Sequence, residues 1–331
     1  MVRVAINGFG RIGRMIFGAG FGSQDIEFVA INDLTTPENL AYLLKYDSVH
    51  RIFPHEVASK NDALVVGGKE IKVLSEKDPA KLPWKDLGID VVLECTGFFR
   101  KKEQVGLHLQ AGARKAILSA PPKGDGIKTI VMGVNEETIT PDDHIISNAS
   151  CTTNSLAPIV KALHNEIGIE QGFMTTVHSY TADQKLVDAP HPDFRRGRSA
   201  AVSIIPTSTG AAVAVTKVIP ELAEKLNGLA FRVPTPEGSV TDFVAVMKRE
   251  TSKEEILQIL ENYSKDKLKE ILQICHDPIV SSDVIGNTHS SILDVQATMV
   301  QGKMVKAIAW YDNEVGYSNR MIDLVKLLAG K

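Results

Sequence analysis

Val2-Arg3-Val4-Ala5-Ile6-Asn7-Gly8-Phe9-Gly10-Arg11-Ile12-Gly13-Arg14 decides the fold of the first half of the chain. Residues 2–7 read as a fully buried strand, residues 8–13 as a glycine turn of the form G-x-G-x-x-G, and a helix begins at Arg11. An acid, Asp33, follows 20 residues after Gly13. Each part has a physical use. Gly8, Gly10 and Gly13 let the backbone approach a pyrophosphate, the helix start at Arg11 and Ile12 offers free N–H groups, and Asp33 can accept hydrogen bonds from a ribose diol. A plain glycine-rich turn would explain the glycines but not the acid at that distance.

Outward from this turn, short apolar runs alternate with helical patterns. Residues 26–32 read as a strand and 37–45 as a helix, with Pro37 at a first-turn position. Residues 65–73 suggest a hairpin over Gly67-Gly68. Residues 90–95, 115–119 and 129–133 are further buried runs, with a helix near 101–110. Strands alternating with helices predict a doubly wound, Rossmann-type parallel sheet.

Near residue 150 the character changes. A helix over 152–166, ended by Gly168, leads into a strand at 173–178. Residues 179–198 have no clean periodicity, and so long a loop inside a compact domain is usually functional. A helix at 210–226, strands at 229–233 and 240–249, and a helix at 253–263 follow, the last opened by a capping box at Ser252. Strands at 291–300 and 303–310 form a hairpin over Gln301-Gly302. The expectation is an α/β chain whose second half is an α+β domain, with a largely antiparallel sheet and helices on one face.

Composition narrows the function. The 331 residues carry 37 Lys plus Arg against 40 Asp plus Glu, a net charge of −3, which offers nothing to a nucleic-acid or polybasic membrane binder. The short basic run Arg195-Arg196-Gly197-Arg198 lacks interleaved aromatics and reads as a solvated or phosphate-facing loop. No apolar run approaches the roughly 18 residues of a membrane helix. Three scattered cysteines form neither a disulfide framework nor a metal or redox pair. A cytosolic enzyme with no metal is the expectation.

Cys151 stands at the mouth of a helix, where the helix N-terminus should lower its pKa and make it partly thiolate. Cys95, after Val91-Val92-Leu93, and Cys275, after Leu272-Gln273-Ile274, read as buried filler. His178 ends a strand at the entry to the long loop, a rigid support suited to a catalytic side chain. Cysteine and histidine need meet only in space, so spacing does not certify the pair.

Several longer motifs carry a family resemblance. Ser147-Asn148-Ala149-Ser150-Cys151-Thr152-Thr153-Asn154, His178-Ser179-Tyr180-Thr181, Pro206-Thr207-Ser208-Thr209-Gly210-Ala211-Ala212 and Trp310-Tyr311-Asp312-Asn313-Glu314 resemble phosphorylating glyceraldehyde-3-phosphate dehydrogenase. The glycine turn and Leu43-Leu44-Lys45-Tyr46-Asp47-Ser48 fit the same family, in order along the whole chain.

The resemblance implies an NAD-binding domain over 1–150, joined by a C-terminal helix at 314–331, and a catalytic domain over 151–313. Residues 179–198 correspond to the family's S-loop, which lines the cofactor site of a neighbouring subunit. Cys151 would be the nucleophile and His178 the base. Gly8, Gly10, Arg11, Ile12, Gly13, Asp33, Lys77, Thr96, Ser119 and Asn313 would bind NAD, Asn313 at the nicotinamide carboxamide. Thr181 and Arg196 would hold the substrate's own phosphate. Ser150, Thr209 and Gly210 would take the attacking inorganic phosphate, Thr152 would belong to the same substrate- and phosphate-binding set, and Arg232 would pair with phosphate. The implied substrate is glyceraldehyde 3-phosphate, and the implied assembly is a cytoplasmic homotetramer.

Departures from the family pattern are local. Ser155 replaces a common second cysteine, Val315 a usual Trp, Pro192 a frequent Lys and Lys77 a frequent Arg. Ala189 stands where strictly NAD-dependent members often carry Leu. A related erythrose-4-phosphate dehydrogenase would usually carry Glu in place of Asp33. A silent binding homologue is opposed by Cys151, His178 and Arg232 all being present.

Overall fold

The computed structural model describes residues 1–329. The chain divides into two compact units: Met1–Ile130, Glu137–Ala149 and the chain from Ser318 on form the first, and Val131–Glu136 with Ser150–Tyr317 form the second.

The first unit is built on a nine-stranded sheet. Its strands are β1 (Val2–Asn7), β2 (Ile26–Asn32), β3 (Val57–Lys60), β4 (Ala63–Val66), β5 (Lys69–Leu74), β6 (Val91–Glu94), β7 (Lys115–Leu118), β8 (Lys128–Thr129) and β9 (Ile145–Ser147). They lie in the order β8-β9-β7-β6-β1-β2-β5-β4-β3, all parallel except the β3 and β4 edge. The chain grows from β1 to β2 on one side, then returns to β6 on the other. Strand order therefore reverses at β1, the kind of switch point outside whose carboxyl ends ligands bind in open α/β sheets.

Helix α1 (Arg11–Gly20) follows the glycine turn, and α2 (Pro37–Lys45) starts where Thr36 Oγ1 accepts from the Asn39 N–H. The helix expected near 101–110 is two short turns, α3 (Lys102–Val105) and α4 (Leu107–Gln110), parted at Gly106. The run at 129–133 pairs only at its start, through Thr129 and the Ile130 N–H on the Ser147 carbonyl at 2.8 Å, because the chain then turns, with the Val134 N–H bonded to the Val131 carbonyl at 3.0 Å.

The second unit carries β10 (Ile169–Ser179), β11 (Ile205–Ser208), β12 (Leu226–Val233), β13 (Ser239–Met247), β14 (Leu272–Cys275), β15 (Ser291–Asp294), β16 (Met299–Gln301) and β17 (Met304–Tyr311). Their order is β11-β12-β10-β13-β17-β15-β14, with β16 on β17. Pairing is antiparallel except for β10 with β12 and β14 with β15. Helix α5 (Cys151–Glu166) packs on β10, β13, β15 and β17, and against α6 (Ala211–Val218) and α7 (Lys253–Lys265). Ser252 Oγ caps α7 by accepting from the Glu255 N–H at 3.2 Å.

Two expectations fail here for local reasons. The helix foreseen over 210–226 ends at Val218, because Pro220 opens a separate 3₁₀ turn, Pro220–Leu222. The strand foreseen over 291–300 breaks after Asp294, whose carboxylate accepts from the Ala297 N–H at 2.9 Å and whose carbonyl accepts from Thr298 Oγ1 at 2.7 Å. Residues 180–198 hold no helix or strand, as their lack of periodicity predicts. The last helix, α8 (Val315–Ala329), runs into the first unit, where Ile322 fills the space beside Gly20.

Candidate active site

The glycine turn is shaped by contacts that only glycine permits. Gly8 has φ 92, and a Cβ there would meet Thr96 N at 2.7 Å. A Cβ on Gly13 would meet the Gly8 carbonyl oxygen at 2.2 Å. Helix α1 then starts with Gly10 as its cap, with no side-chain cap and no acid in its first turn. Asp33 Oδ2 accepts from the Phe9 N–H at 2.8 Å, which ties the carboxylate to the turn. An uncapped helix start with a carboxylate held beside it fits a pyrophosphate and a ribose diol.

The other expected residues of this unit do different things. Arg11 pairs with Asp47 at 2.6 Å, Ile12 is half-buried, and Lys77 is exposed beyond β5. Thr96 donates from its N–H to Glu94 Oε1 at 2.8 Å, and its hydroxyl also donates there. Ser119 ends the register of β7, its N–H on the Glu94 carbonyl at 3.0 Å. Glu94 is wholly buried; its Oε2 accepts from Asn7 Nδ2 at 2.6 Å and lies 3.0 Å from His108 Nε2.

In the second unit Ser150 Oγ caps α5 by accepting from the Thr153 N–H at 3.1 Å, which makes Cys151 the first helical residue. Cys151 Sγ lies 3.4 Å from His178 Nε2. His178 sits near the end of β10 with its Nδ1 at 2.7 Å from the Ser179 carbonyl oxygen. A carbonyl can only accept, and the Arg232 Nη1 that lies 3.2 Å from Nδ1 has oxygen acceptors for both of its hydrogens, so Nδ1 carries the ring proton and the Nε2 lone pair faces the thiol.

Arg232, on β12, is in register with His178 across the parallel pair. Its Nη1 donates to the Ser179 carbonyl at 3.1 Å and to Thr181 Oγ1 at 2.9 Å, and lies 3.2 Å from His178 Nδ1. Thr181 donates in turn to Asp183, whose other oxygen pairs with Arg196. Arg196 reaches Thr207 Oγ1 at 2.9 Å and the Ser208 carbonyl at 3.2 Å, one residue before Thr209. Thr209 Oγ1 accepts from the Ala211 N–H at 3.2 Å, and Gly210 caps α6. Thr152 is buried, with its hydroxyl 2.9 Å from Tyr311 OH.

Cys151, His178, Thr181, Arg196 and Arg232 thus form one connected cluster. Asp183, which pairs with Arg196 and is linked to Arg232 through the Thr181 hydroxyl, was missed in the sequence because it lies in an aperiodic loop. Tyr311, which touches both Thr152 and Thr176, was visible only as part of the Trp310-Tyr311-Asp312-Asn313 motif.

The electrostatics correct one expectation. Burial pushes the Cys151 thiol up to about 11, although Arg232 and the Thr152 contacts pull it down. Burial, and then the Arg232 charge, hold His178 down at about 3. The helix N-terminus does not make an isolated thiolate, because desolvation costs more than that partial charge returns. A proton moved from Sγ to Nε2 would instead leave two opposite charges 3.4 Å apart, each favouring the other. The Cys95 thiol is pushed to about 12 by burial. Cys95 and Cys275 are a second correction: both are half-buried rather than core, Cys95 because it stands just past the end of β6 and Cys275 because it ends β14 at the edge of the sheet.

Comparison with known proteins places this geometry in a class. Residues 2–102 match the family model described as the NAD binding domain of glyceraldehyde 3-phosphate dehydrogenase, and residues 150–313 match that for its C-terminal domain. The fold and the match define an NAD-dependent oxidoreductase acting on an aldehyde group. The chain is 55% identical to the glyceraldehyde-3-phosphate dehydrogenase of Geobacillus stearothermophilus, over 100% of this chain and 99% of that relative. It is 56% identical to that of Thermotoga maritima, over 99% of each chain, and 53% identical to glyceraldehyde-3-phosphate dehydrogenase 1 of Bacillus subtilis, over 100% and 99%. The chain belongs to the glyceraldehyde-3-phosphate dehydrogenase family, and its cofactor is NAD.

Proposed function

We propose that the chain oxidises glyceraldehyde 3-phosphate with NAD and inorganic phosphate to 1,3-bisphosphoglycerate, through a thioester on Cys151. The observation that carries this reading is the Nε2 lone pair of His178 at 3.4 Å from Cys151 Sγ, with Arg232 beside both.

His178 Nε2 takes the thiol proton as Sγ bonds to the aldehyde carbon, and returns it to the aldehyde oxygen to give a thiohemiacetal. NAD, when bound, supplies the hydride acceptor. His178 then accepts the hydroxyl proton as the carbon gives up its hydride, leaving a thioester on Sγ. Phosphate attacks the thioester carbon and Sγ leaves, releasing the acyl phosphate. Arg196 and Thr181 hold the substrate's phosphate, Ser150, Thr209 and Gly210 receive the attacking one, and Thr152 completes the substrate- and phosphate-binding set. Arg232 pairs with phosphate; its planar fork suits that group better than a lysine would. Gly8, Gly10, Arg11, Ile12, Gly13, Asp33, Lys77, Thr96, Ser119 and Asn313 bind the dinucleotide.

Residues 1–150 with the helix 314–331 serve the cofactor, and residues 151–313 serve the chemistry. Leu186, Val187 and Phe194 are all strongly exposed in the loop 179–198. That loop supports assembly as a homotetramer, which sedimentation velocity tests: a monomer at micromolar concentration would oppose it. Among the described residues no helix is long and apolar enough to cross a membrane, and we place the enzyme in the cytoplasm. The direct test of function is phosphorus NMR of the product. An acyl phosphate formed only with glyceraldehyde 3-phosphate, NAD and phosphate together supports the reading; free 3-phosphoglycerate as the sole product would refute it.

A further inference from the structure

Ser179 is used twice. Its carbonyl accepts from His178 Nδ1 at 2.7 Å, while its hydroxyl donates to Asn313 Oδ1 at 2.8 Å. Ser239 Oγ accepts from the Ser179 N–H at 3.1 Å and donates to the same Asn313 Oδ1 at 2.6 Å. All three side chains are buried.

The directions of these bonds are forced. A backbone N–H only donates, so Ser239 Oγ must accept there, and its single proton goes to Asn313. The amide oxygen therefore receives two hydroxyl protons. Were the amide turned over, the Ser239 hydroxyl could still donate to Ser179 Oγ at 3.4 Å, but the Ser179 proton would then have no acceptor in a buried site, a costly arrangement. Among the described residues, Asn313 Nδ2 makes no hydrogen bond. A donor is all that Asn313 has left to offer a ligand.

We infer that Ser179 and Ser239 are positioning residues that lock the Asn313 amide with its oxygen committed to the protein, so that Asn313 reads an acceptor on the nicotinamide ring. The inference rests on the reading of Asn313 as the contact to the nicotinamide carboxamide, and it specifies which atom is read: the carbonyl oxygen, not the NH₂ group. Because the Ser179 carbonyl also orients His178, one residue sets both the base and the ring-binding amide.

The test is titration calorimetry of the full chain with NAD and with ADP-ribose, the same ligand without its nicotinamide. Ser239→Ala and Ser179→Ala should each raise the Kd for NAD about five- to tenfold, the range of one net hydrogen bond, and leave that for ADP-ribose unchanged. Unchanged ADP-ribose binding also reports that the variants are folded. Ser239→Thr, which keeps the hydroxyl, should restore NAD binding. The 3-acetylpyridine analogue keeps the carbonyl and lacks the NH₂, so it should follow NAD through wild type and variants. An Asn313→Ala control separates the two layers. If Asn313→Ala weakens NAD binding and neither serine variant does, the positioning role is wrong. If NAD and ADP-ribose weaken together in the serine variants, the serines are only structural. If Asn313→Ala leaves NAD unchanged, the underlying reading of Asn313 falls and takes this one with it.

Discussion

Two buried polar clusters, one in each unit, use opposite designs. In the first unit the Glu94 carboxylate takes four hydrogen bonds: from Asn7 Nδ2, His108 Nε2, the Thr96 N–H and the Thr96 hydroxyl. Trp84 Nε1 donates to His108 Nδ1 at 3.1 Å, which leaves Nε2 with the ring proton and makes it a donor to Glu94. Asn32 Nδ2 donates to Asn7 Oδ1 at 2.7 Å, so the carboxyl ends of β1, β2 and β6 are tied together under the glycine turn. In the second unit the groups around Cys151 are left open. Arg232 Nε is buried without a hydrogen bond, as is Nε2 of Gln184, whose Oε1 accepts from the Thr181 N–H, and the His178 lone pair meets only a thiol. A satisfied network holds a shape, whereas an incompletely satisfied one can still bind and react.

The largest effect expected from breaking this contrast is at Cys151. Cys151→Ser should abolish dehydrogenase turnover, since a serine hydroxyl cannot supply the anion, and should leave NAD affinity nearly unchanged by calorimetry. A variant that lost NAD binding as well would make Cys151 part of the fold rather than an open reactive group.

His178→Asn should slow the chemical step by about 10²–10⁴-fold in single-turnover assays. The same variant sharpens the electrostatic account. With no imidazole to take the proton, the thiol must lose it to solvent from a pKa raised toward about 11. Its alkylation by iodoacetate should therefore climb about tenfold per pH unit between pH 7 and 9. In the wild type, Cys151 should react at neutral pH and ahead of Cys95 and Cys275 in peptide maps. A flat profile in His178→Asn would mean that another group takes the proton.

In the closed network the effect moves from rate to stability. Glu94→Gln places an NH₂ group against the donors of Asn7 and His108, and His108 cannot change tautomer while Trp84 donates to Nδ1. The unfolding free energy should fall by about 3 kcal/mol, the scale of leaving buried donors without their carboxylate acceptor, or about 10²-fold in the folding equilibrium. Urea titration measures it. An unchanged midpoint would show that the network carries no stability.

The smallest effect is at the cofactor. Asp33 should favour NAD over NADP by at least about tenfold in kcat/KM, roughly 1.4 kcal/mol, because its carboxylate repels a 2′-phosphate. Asp33→Ala should narrow or reverse that ratio. Equal efficiency of both cofactors in the wild type would mean that Ala189 and Lys77 outweigh the charge.

What the sequence displayed, and what it hid, follows the range of the interactions. Strand residues 2–7 and 26–32 and helix 37–45 match the structure because their signals are local: an apolar run and a proline at the first turn. The ends of the helix at Val218 and of the strand at Asp294 were signalled by Pro220 and by Asp294 itself, but an apolar pattern running on past them concealed the stop. The cluster is a different matter. Cys151 and His178 stand on separate elements, and the Ser179 to Ser239 bond joins residues 60 apart, so only the folded sheet brings them together. The direction of the Cys151 shift depends on burial depth, which a helix-terminus argument does not contain.

The account turns on Cys151 holding an oxidised substrate before phosphate arrives. Stopped-flow absorbance of NADH, with enzyme, NAD and glyceraldehyde 3-phosphate mixed in the absence of phosphate, tests this directly. The expected result is a burst approaching one NADH per chain, followed by a near-halt that added phosphate relieves. No burst, with NADH appearing only in a slow phosphate-dependent phase from the start, would contradict a thioester formed on Cys151 ahead of phosphorolysis.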